Sequence, residues 1–396
     1  MSLLATIQQE SKSLAQEVIR WRRHIHANPE LSFKEFNTAK YVSQILRQYG
    51  LNPTEGIAGT GVVALLEGKN PTKKTIALRA DMDALPILEA NTTEYKSQNP
   101  GVMHACGHDV HTASLLGTAK ILSDVKHLFE GSVKFLFQPG EEKNPGGASY
   151  MIRDGALTNP KPDGIIGQHV MPLLPAGIIG FREGMYMASS DEIYLKVIGK
   201  GGHAAAPDLT VDPILIASHI VIALQQVISR NVSPMQPSVL SFGKIIGEGA
   251  TNIIPNEVSL AGTFRTLNET WRKEGLLKIE KMATQIAESM GGHCEVVISH
   301  GYPYLENNPE LTRRIRMAAE EYIGKENVVD LAVTMGSEDF AFYSHVIPSS
   351  FYRLGTRNES KGITSYVHTP TFDIDEDALA IGPGLMAWMA ITELKN

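Results

Sequence analysis

Residues 104–113, with the sequence HACGHDVHTA, bring three histidines, one of the chain's two cysteines and an aspartate into ten positions. Thiolate and imidazole are both ligands that zinc-like ions favour. Cys106 and His108 flank a glycine, so in an extended loop both side chains can point the same way. The segment alone is compatible with a metal site, a thiol nucleophile or a helix start capped by Asp109. His111 falls within the predicted helix and is expected to be structural.

Other polar side chains follow apolar runs that we interpret as strands. They are Asp81 and Asp83 after TIALRA, Glu141 and Glu142 after VKFLFQPG, and His169 after DGIIGQ. Taken singly, adjacent glutamates are typical of a solvated loop, and a lone histidine is typical of a satisfied core residue. Because the carboxyl ends of strands in an open α/β sheet meet at one crevice, however, we expect these groups to converge there with Cys106 and His108.

Hydrolysis at a metal centre needs two carboxylates with different tasks. One binds the ion, and the other stays unligated to accept a proton from the attacking water. The neighbours Glu141 and Glu142 could divide these tasks, and His368 in YVHTPTFD is a further candidate ligand. The potential ligands are Cys106, His108, Glu142, His169 and His368. Five ligands are too many for one tetrahedral ion and are suited to two ions that share a bridging ligand. These residues together predict a two-metal hydrolase.

The elements that must position these residues alternate along the chain. Helical spacing of apolar residues covers 3–27 and 35–49, and the second stretch ends at Gly50. Strands are predicted at 60–68, 74–83, 131–142 and 163–170, with helical segments at 109–123 and 145–155 between them. Strands that alternate with helices predict an α/β sheet with helices on its faces.

A different pattern begins near residue 187. A strand in DEIYLKVIGKGGHA is followed by a helix at 211–230, strands at 238–247 and 256–267, a helix at 269–290 and a strand at 293–300. This β-α-β-β-α-β order is that of a ferredoxin-like two-layer domain. The earlier pattern resumes near residue 308, so we interpret the second domain as an insertion. The predicted domains are therefore 1–186 with 302–396, and 187–301.

Composition limits the function classes. With 396 residues, 43% of them hydrophobic, the chain exceeds the length at which a single core stops growing. The net charge of -7 contains no block of like charges, so we expect no nucleic-acid partner. The N-terminal sequence has no basic flank followed by an apolar run, so neither a signal peptide nor a membrane anchor is expected. Two cysteines cannot form a disulfide framework and fit a reducing, cytoplasmic compartment.

With these residues assembled, the chain resembles the amidohydrolase branch of the aminoacylase and glutamate-carboxypeptidase family of two-metal peptidases. The resemblance covers essentially the whole length. The stretches that carry it are RRHIHANPELSFKEFNTAKYV, LRADMDALPI, MHACGHDVHTA, FQPGEE, GQHV, GKGGHAAAP, TNIIPNEVSLAGTFRT, GSEDFAFY and VHTPTFD. It implies a large catalytic, zinc-peptidase-like domain with a mixed central sheet flanked by helices. The inserted domain would be a lid and dimerisation domain, giving a homodimer.

The resemblance also implies roles for the clustered residues. Cys106 would bridge two divalent ions, with His108 and His169 completing one site and Glu142 and His368 the other. Glu141 would be the general base. Asp83 matches an aspartate that orients a ligand, whereas Asp81 stands where relatives have a histidine. This departure makes sense only if His108 supplies the missing imidazole. The ions implied are zinc or manganese, with nickel or cobalt as alternatives.

In the inserted domain the resemblance assigns three residues. His203 would reach the active site of the partner subunit and stabilise the developing oxyanion, and Asn252 and Arg265 would contact the substrate's carboxylate. The glycines before His203 indicate a flexible or tightly turned backbone, and an arginine that ends a strand suits a carboxylate clamp. Without the resemblance, an ordinary surface salt bridge accounts for Arg265 equally well.

The predicted reaction is hydrolysis of the amide bond of a small N-acylated amino acid, with an acetyl, benzoyl or similar acyl group, to a carboxylate and a free amino acid. One alternative is a thiol amidohydrolase in which Cys106 is the nucleophile and His108 or His169 its base. That mechanism gives no role to Glu141 and Glu142. A second alternative is a catalytically silent binding protein of the same fold, in which the loss of Glu141 or His368 would be expected; both are present.

Overall fold

The computed structural model describes residues 2–396 and has a mixed α/β fold, as predicted. The helices are α1 (Leu3–Ala27), α2 (Phe36–Gln48), α3 (His108–Val125), α4 (Gly147–Arg153), α5 (Pro213–Asn231), α6 (Glu269–Ser289), α7 (Pro309–Ile323), α8 (Ala341–Ser344) and α9 (Gly382–Lys395). The strands are β1 (Thr54–Ile57), β2 (Gly61–Glu67), β3 (Thr75–Asp81), β4 (Ser132–Gln138), β5 (Gly164–Pro175), β6 (Ile179–Phe181), β7 (Gly184–Met187), β8 (Asp191–Ile198), β9 (Gly202–His203), β10 (Ser238–Ile246), β11 (Ile253–Ile254), β12 (Glu257–Thr266), β13 (His293–His300), β14 (Leu305–Asn307), β15 (Val328–Asp330) and β16 (Ser349–Arg357).

The large sheet has the strand order β1-β2-β4-β3-β5-β16-β6-β15. Its four central strands, β4, β3, β5 and β16, run parallel, while β2 and β6 are antiparallel to their central neighbours. Every residue of β3 and β4 is buried, which explains why both strands have nearly continuous apolar sequences. Because these strands are parallel, the loops that follow β3, β4 and β5 leave the same edge of the sheet.

Helices cover this sheet and position the loops at its edge. α1, α3 and α9 pack against one another, and α3 and α9 also pack on β3. α4 packs on β4, and α8 packs on β16. Side chains from α1, α3, α9, β3 and β4 share one continuous apolar core. The first unit comprises the chain up to Tyr186, Glu306–Val333 and Asp339–Asn396.

The second unit comprises Met187–Leu305 and Thr334–Glu338. Its four-stranded antiparallel sheet has the order β10-β12-β8-β13, which is the ferredoxin-like arrangement, and α5 and α6 pack on it around a separate apolar core. The segment 334–338 belongs to the second unit because its backbone forms a hydrogen bond with that unit. Ala188 N–H donates to the carbonyl of Gly336 at 2.9 Å.

Helix α5 is apolar on more than one face. Ile216, Ile220 and Leu224 are buried against the sheet of the second unit, whereas Leu215 and Ile222 are 51% and 73% exposed. Within residues 2–396, this is the helix that is long and apolar enough to cross a membrane by length and composition, and a third of its most apolar window is buried. The exposed apolar side chains therefore add a second apolar face to a helix that already contributes to a core.

Candidate metal centre

The sharp turn between Cys106 and helix α3 depends on Gly107. Its φ of 82° lies in the left-handed region, and a Cβ built at this position would lie 2.5 Å from Cγ2 of Val170. α3 begins immediately behind this turn, at His108. Asp109 lies in the first turn of α3 but makes no capping hydrogen bond; its carboxylate accepts from Arg22 Nε at 2.7 Å. The capping prediction is therefore wrong, because the buried guanidinium is the stronger partner.

The first cluster of potential ligands is Cys106, His108 and His169. One potential ligand atom of each lies within 4.8 Å of those of the others, and all three side chains are buried. Cys106 Sγ lies 3.4 Å from Nε2 of His169. The middle of β5 and the start of α3 thus bring together residues that are more than sixty positions apart in the sequence.

The hydrogen bond from His108 to Asp83 fixes the orientation of the imidazole ring. Nδ1 lies 3.1 Å from Oδ1 of Asp83 and donates to it, since a carboxylate only accepts. Nε2 is buried and makes no hydrogen bond within the described part of the chain. Burial lowers the pKa of His108, but the carboxylates of Asp81 and Asp83 outweigh it and raise that pKa to about 10. The pocket therefore favours positive charge at Nε2, which is the environment that a divalent cation requires.

His169 presents Nε2 in the same way. Its Nδ1 donates to the carbonyl of Val170 at 2.7 Å, leaving Nε2 directed towards Cys106. His111 uses both ring nitrogens: Nε2 accepts the Val170 N–H at 2.9 Å, and Nδ1 lies 2.6 Å from Oδ1 of Asp81. This arrangement agrees with a structural role for His111, which connects the middle of β5 to the last residue of β3. Asp81 also accepts from Arg79 Nη1 at 2.5 Å.

The second cluster is Cys106, Glu142 and His368, again with potential ligand atoms within 4.8 Å of one another. His368 Nε2 lies 3.1 Å from Oε1 of Glu142. The backbone of His368 has a φ of 62°, which is uncommon for a residue other than glycine, and its N–H donates to the carbonyl of Ala105 at 2.7 Å. This strained conformation is typical of functional sites, and here it places the imidazole next to Cys106.

Glu141 is buried beside the two clusters but belongs to neither of the sets that contain Cys106. Its Oε1 accepts the Asp339 N–H at 3.4 Å, and its Oε2 lies 4.0 Å from Nε2 of His108. Glu142 N–H, in contrast, donates to Asp83 Oδ2 at 3.0 Å. The turn after β4 thus directs two neighbouring carboxylates to different positions in one pocket.

The surroundings of Cys106 argue against a thiol nucleophile. Burial raises the pKa of Cys106 well above its usual value, and the charges of Glu142 and Glu141 raise it further. A nucleophilic cysteine needs the opposite, a lowered pKa that supplies thiolate near neutral pH. A bound cation would reverse this effect, because a coordinated thiol is deprotonated. The donors of the pocket, including the unpartnered Nε2 of His108, therefore fit zinc-like divalent ions.

Within the second unit, His203 and Asn252 lie together and Arg265 lies apart from them. β9 pairs with β11 opposite His203, and Ala204 N–H donates to the carbonyl of Asn252 at 3.0 Å. His203 follows the carboxyl end of β8, whose Ile198 pairs with Glu257. Arg265 lies eight residues beyond Glu257 along β12, which corresponds to about 27 Å at roughly 3.4 Å per residue. Within one chain, Arg265 therefore lies near the end of β12 that is remote from β9 and β11.

The side chains of His203 and Arg265 are both available for interaction with a ligand. His203 Nδ1 accepts the Ala205 N–H at 3.0 Å, so the proton of the neutral ring is on the exposed Nε2, which can donate. Arg265 Nη1 donates to the carbonyl of Met335 at 3.0 Å. Among residues 2–396 Arg265 forms no ion pair, so the alternative of an ordinary surface salt bridge is wrong.

Sequence reasoning missed several residues that support the site. Arg79 is fully buried and donates to Asp81 and Asp339, at 2.5 Å and 2.7 Å. Glu35 is fully buried and accepts the Gly140 N–H at 2.9 Å. An arginine within the apolar run TIALRAD is a signal that could have been used, since a charged residue in a buried strand requires a buried partner.

We expect Gly107→Ala to destabilise the fold more than Gly101→Ala. Both glycines have φ near 82°, so each alanine incurs about 1–2 kcal/mol of backbone strain. At Gly107 the new methyl group also collides with Val170, which adds roughly 1–3 kcal/mol, whereas nothing lies within 4 Å at Gly101. Urea unfolding of both metal-free variants measures this difference. Equal losses in the two variants would show that the contact with Val170 does not restrict the turn.

Comparison with known proteins identifies similar sequences over nearly the full length. The sequence profile of peptidase family M20/M25/M40 matches residues 77–391. Thermostable carboxypeptidase 2 of Saccharolobus solfataricus is 39% identical over 394 residues, which cover 99% of this chain and 99% of that protein. The N-acyl-L-amino acid amidohydrolase of Geobacillus stearothermophilus is 44% identical over 306 residues, which cover 76% of this chain and 82% of that protein.

Solved structures show the same similarity. A crystal structure from Bacillus subtilis, described as a dinuclear metal-binding peptidase of the M20 family, is 32% identical in sequence. It superposes with a TM-score of 0.81 and covers 97% of this chain and 99% of that one. The similarity therefore extends over both units of the chain and includes a protein that binds two metal ions.

Proposed function

Because the chain belongs to peptidase family M20/M25/M40, and is thus a hydrolase of that family, we propose that it hydrolyses the amide bond of small N-acylated amino acids, releasing a carboxylic acid and the free amino acid. The observation that carries this proposal is the pair of ligand clusters that share Cys106, with Glu141 beside them. The relative that is 44% identical is named for this reaction.

Two divalent ions, zinc or manganese with nickel or cobalt as alternatives, would be held by the clustered residues. Cys106 would bridge them, His108 and His169 would complete one site, and Glu142 and His368 the other. When bound, such ions supply Lewis-acid activation of water and of the amide carbonyl. Asp83 would keep His108 in the tautomer that ligates through Nε2, because it accepts the proton of Nδ1.

The proposed catalytic residues are Glu141 and His203. Glu141 takes a proton from the attacking water and delivers it to the departing amine, which requires a carboxylate that is close to the ions but not committed to them. His203 donates from Nε2 to the carbonyl oxygen as negative charge develops there. Asn252 and Arg265 contact the carboxylate of the substrate.

We propose that these residues are completed in a homodimer, with the second unit acting as lid and dimerisation domain. His203 and Asn252 lie at one end of its sheet and Arg265 at the other, so one carboxylate can meet both sets if His203 and Asn252 come from the partner. The exposed apolar side chains of α5, and of the edge strand β10, supply surface for such an interface. A one-chain molar mass from light scattering would contradict the dimer.

A second candidate function follows from the carboxypeptidase relative, which is similar over 99% of both chains. The last peptide bond of a peptide is also an amide whose nitrogen belongs to an amino acid with a free carboxylate. The same residues would therefore recognise the same end of either substrate, and the acyl side would decide between them. For the cellular setting we propose the cytoplasm, with neither nucleic acid nor membrane as partner, on the basis of charge and cysteine content.

Assays of the metal-loaded protein test this function. N-acetyl and N-benzoyl amino acids, dipeptides and N-acyl amines without a carboxylate form the substrate panel. We expect turnover of the N-acyl amino acids, and a loss on the order of 100-fold or more on the amines if the carboxylate clamp is required. Chelation should abolish turnover, and added zinc or manganese should restore it. Activity that survives chelation but is lost on thiol alkylation would support the nucleophilic alternative instead.

A further inference from the structure

The turn that presents Glu141 and Glu142 forms hydrogen bonds and packing contacts with a segment that lies far away in the sequence. We call residues 139–142 the glutamate turn and residues 28–35, between α1 and α2, the supporting segment. Glu35 of this segment is 0% exposed, and its Oε1 accepts the N–H groups of Gly140 at 2.9 Å and of Phe33 at 2.8 Å. Its Oε2 accepts the hydroxyl of Thr60 at 2.5 Å.

The charge of Glu35 is not balanced by a neighbouring cation. Among the described residues, no basic side chain forms an ion pair with it, and burial, together with the nearby charge of Asp83, raises its pKa to about 7. A buried carboxyl group without a cation costs stability compared with an apolar side chain of similar size. Stability of the fold alone therefore does not explain a glutamate at this position.

The contacts of the supporting segment converge on the glutamate turn and on Asp83. Gly140 has a φ of 63°, and a Cβ built there would lie 2.4 Å from the ring of Phe33, so this ring packs directly on the turn. Ser32 Oγ donates to Asp83 Oδ2 at 2.6 Å, and the same carboxylate oxygen accepts the Glu142 N–H at 3.0 Å. One short segment thus restrains both ends of the turn.

We propose that Glu35 is a positioning residue, which holds the Gly140 N–H and thereby fixes the directions in which Glu141 and Glu142 enter the pocket. The inference rests on the proposed function in that Glu142 is taken as a ligand and Glu141 as the base. Glu35 belongs to none of the groups of potential metal ligands in the described part of the chain. It acts through the backbone of the turn, as residues behind metal ligands commonly do, and their loss typically costs about 10- to 100-fold in metal affinity or activity.

Three substitutions at Glu35 distinguish the effect of side-chain length from the effect of charge. Glu35→Ala removes the acceptor, and Glu35→Asp keeps the charge but shortens the side chain. Both variants should therefore lower the affinity for the more weakly bound ion by about 10- to 100-fold. Both should also lower kcat with little change in KM. Glu35→Gln keeps an oxygen for Gly140, while the Thr60 hydroxyl can reverse and accept from the new amide. This variant should therefore stay within about threefold of the parent, if the hydrogen bond is what matters.

Zinc affinities are measured for each site by calorimetry in competition with a chelator, alongside kcat and KM. Glu30→Ala is the matched control, because Glu30 lies in the same segment and its carboxylate accepts hydrogen bonds from the backbone and side chains of Asn37 and Thr38 instead. This control should lower the unfolding temperature without changing either zinc affinity. The metal readout does not require a substrate, so it tests Glu35 even if the proposed reaction is wrong.

The proposal is overturned if Glu35→Asp binds both ions as tightly as the parent, or if Glu30→Ala weakens zinc binding to the same extent. It is also overturned if Glu35→Gln is as impaired as Glu35→Ala, since charge rather than the bond to Gly140 would then be required. Should Glu35→Ala fail to fold, the aspartate and glutamine variants carry the test, because both retain a polar group for the buried donors.

Discussion

Replacing Glu141 by alanine should reduce turnover by about 100- to 10,000-fold, the range typical of a lost general base, while the protein still binds both ions. The expectation of normal metal content follows from the geometry. Both clusters that contain Cys106 are complete without Glu141, whose Oε1 accepts instead from the Asp339 N–H. Rates at saturating substrate, together with elemental analysis of the same preparation, measure the two effects side by side.

The neighbouring residue provides the comparison. Glu142→Ala should also lose turnover, but with the loss of the ion held by the cluster that contains His368, because Glu142 lies 3.1 Å from this imidazole. The two alanine variants are thus expected to have similarly low activity, but Glu141→Ala should keep both ions whereas Glu142→Ala should lose one. If Glu141→Ala retains turnover, or if it loses an ion as Glu142→Ala does, the assignment of the base is wrong.

Cys106→Ala should lose both ions and all turnover, because the thiol belongs to both clusters. Without the bridge, each site keeps two of its ligands, and the carboxylates of the pocket face one another without a shared cation to separate them. We expect metal content to fall well below one ion per chain and activity to fall to background. Elemental analysis after gel filtration and an assay with excess zinc measure the two outcomes.

The second cysteine serves as the control for this experiment. Cys294 is also buried, but it lies on β13 in the second unit, where its Sγ lies 3.7 Å from the carbonyl of Glu295. Cys294→Ala removes the same sulfur volume from a core and should keep the metal content and turnover of the parent. Full metal occupancy in Cys106→Ala would exclude Cys106 as the bridge between the two ions.

Local patterns in the sequence were sufficient for the fold class and for many of the elements, although they gave no bounds for β1, β6 and β7 or for the elements after residue 308. Apolar runs such as TIALRAD and SVKFLFQ predict buried strands, and β3 and β4 are buried throughout. The helices predicted at 3–27 and 109–123 are found at Leu3–Ala27 and His108–Val125. The order of strands and helices from residue 187 predicts the sheet order of the second unit. These features could be predicted because burial leaves a local pattern, which is a continuous apolar run in a fully buried strand and a regular spacing of apolar residues in a helix.

The ligand clusters could be predicted from the sequence only in part. The rule that parallel strands end at one edge brings Asp83, Glu142 and His169 to the same crevice, and the structure brings them together there with Cys106. The rule does not apply to His368, which was predicted to be a ligand from the presence of the other candidate ligands and from the family resemblance. Its place next to Cys106 depends on a strained backbone and on one hydrogen bond to Ala105, neither of which leaves a local pattern.

The sequence by itself determined the fold class and many of the elements, which residue types gather at the edge of the sheet and which family the chain resembles. Only the tertiary structure decided how each group is used: that Asp109 pairs with Arg22 rather than capping α3, that Asp83 orients His108, and that Glu35 holds a turn 105 positions away. The physical reason is that burial patterns act between neighbours in the chain, whereas hydrogen bonds and ion pairs depend on distances of about 3 Å between groups that folding alone brings together.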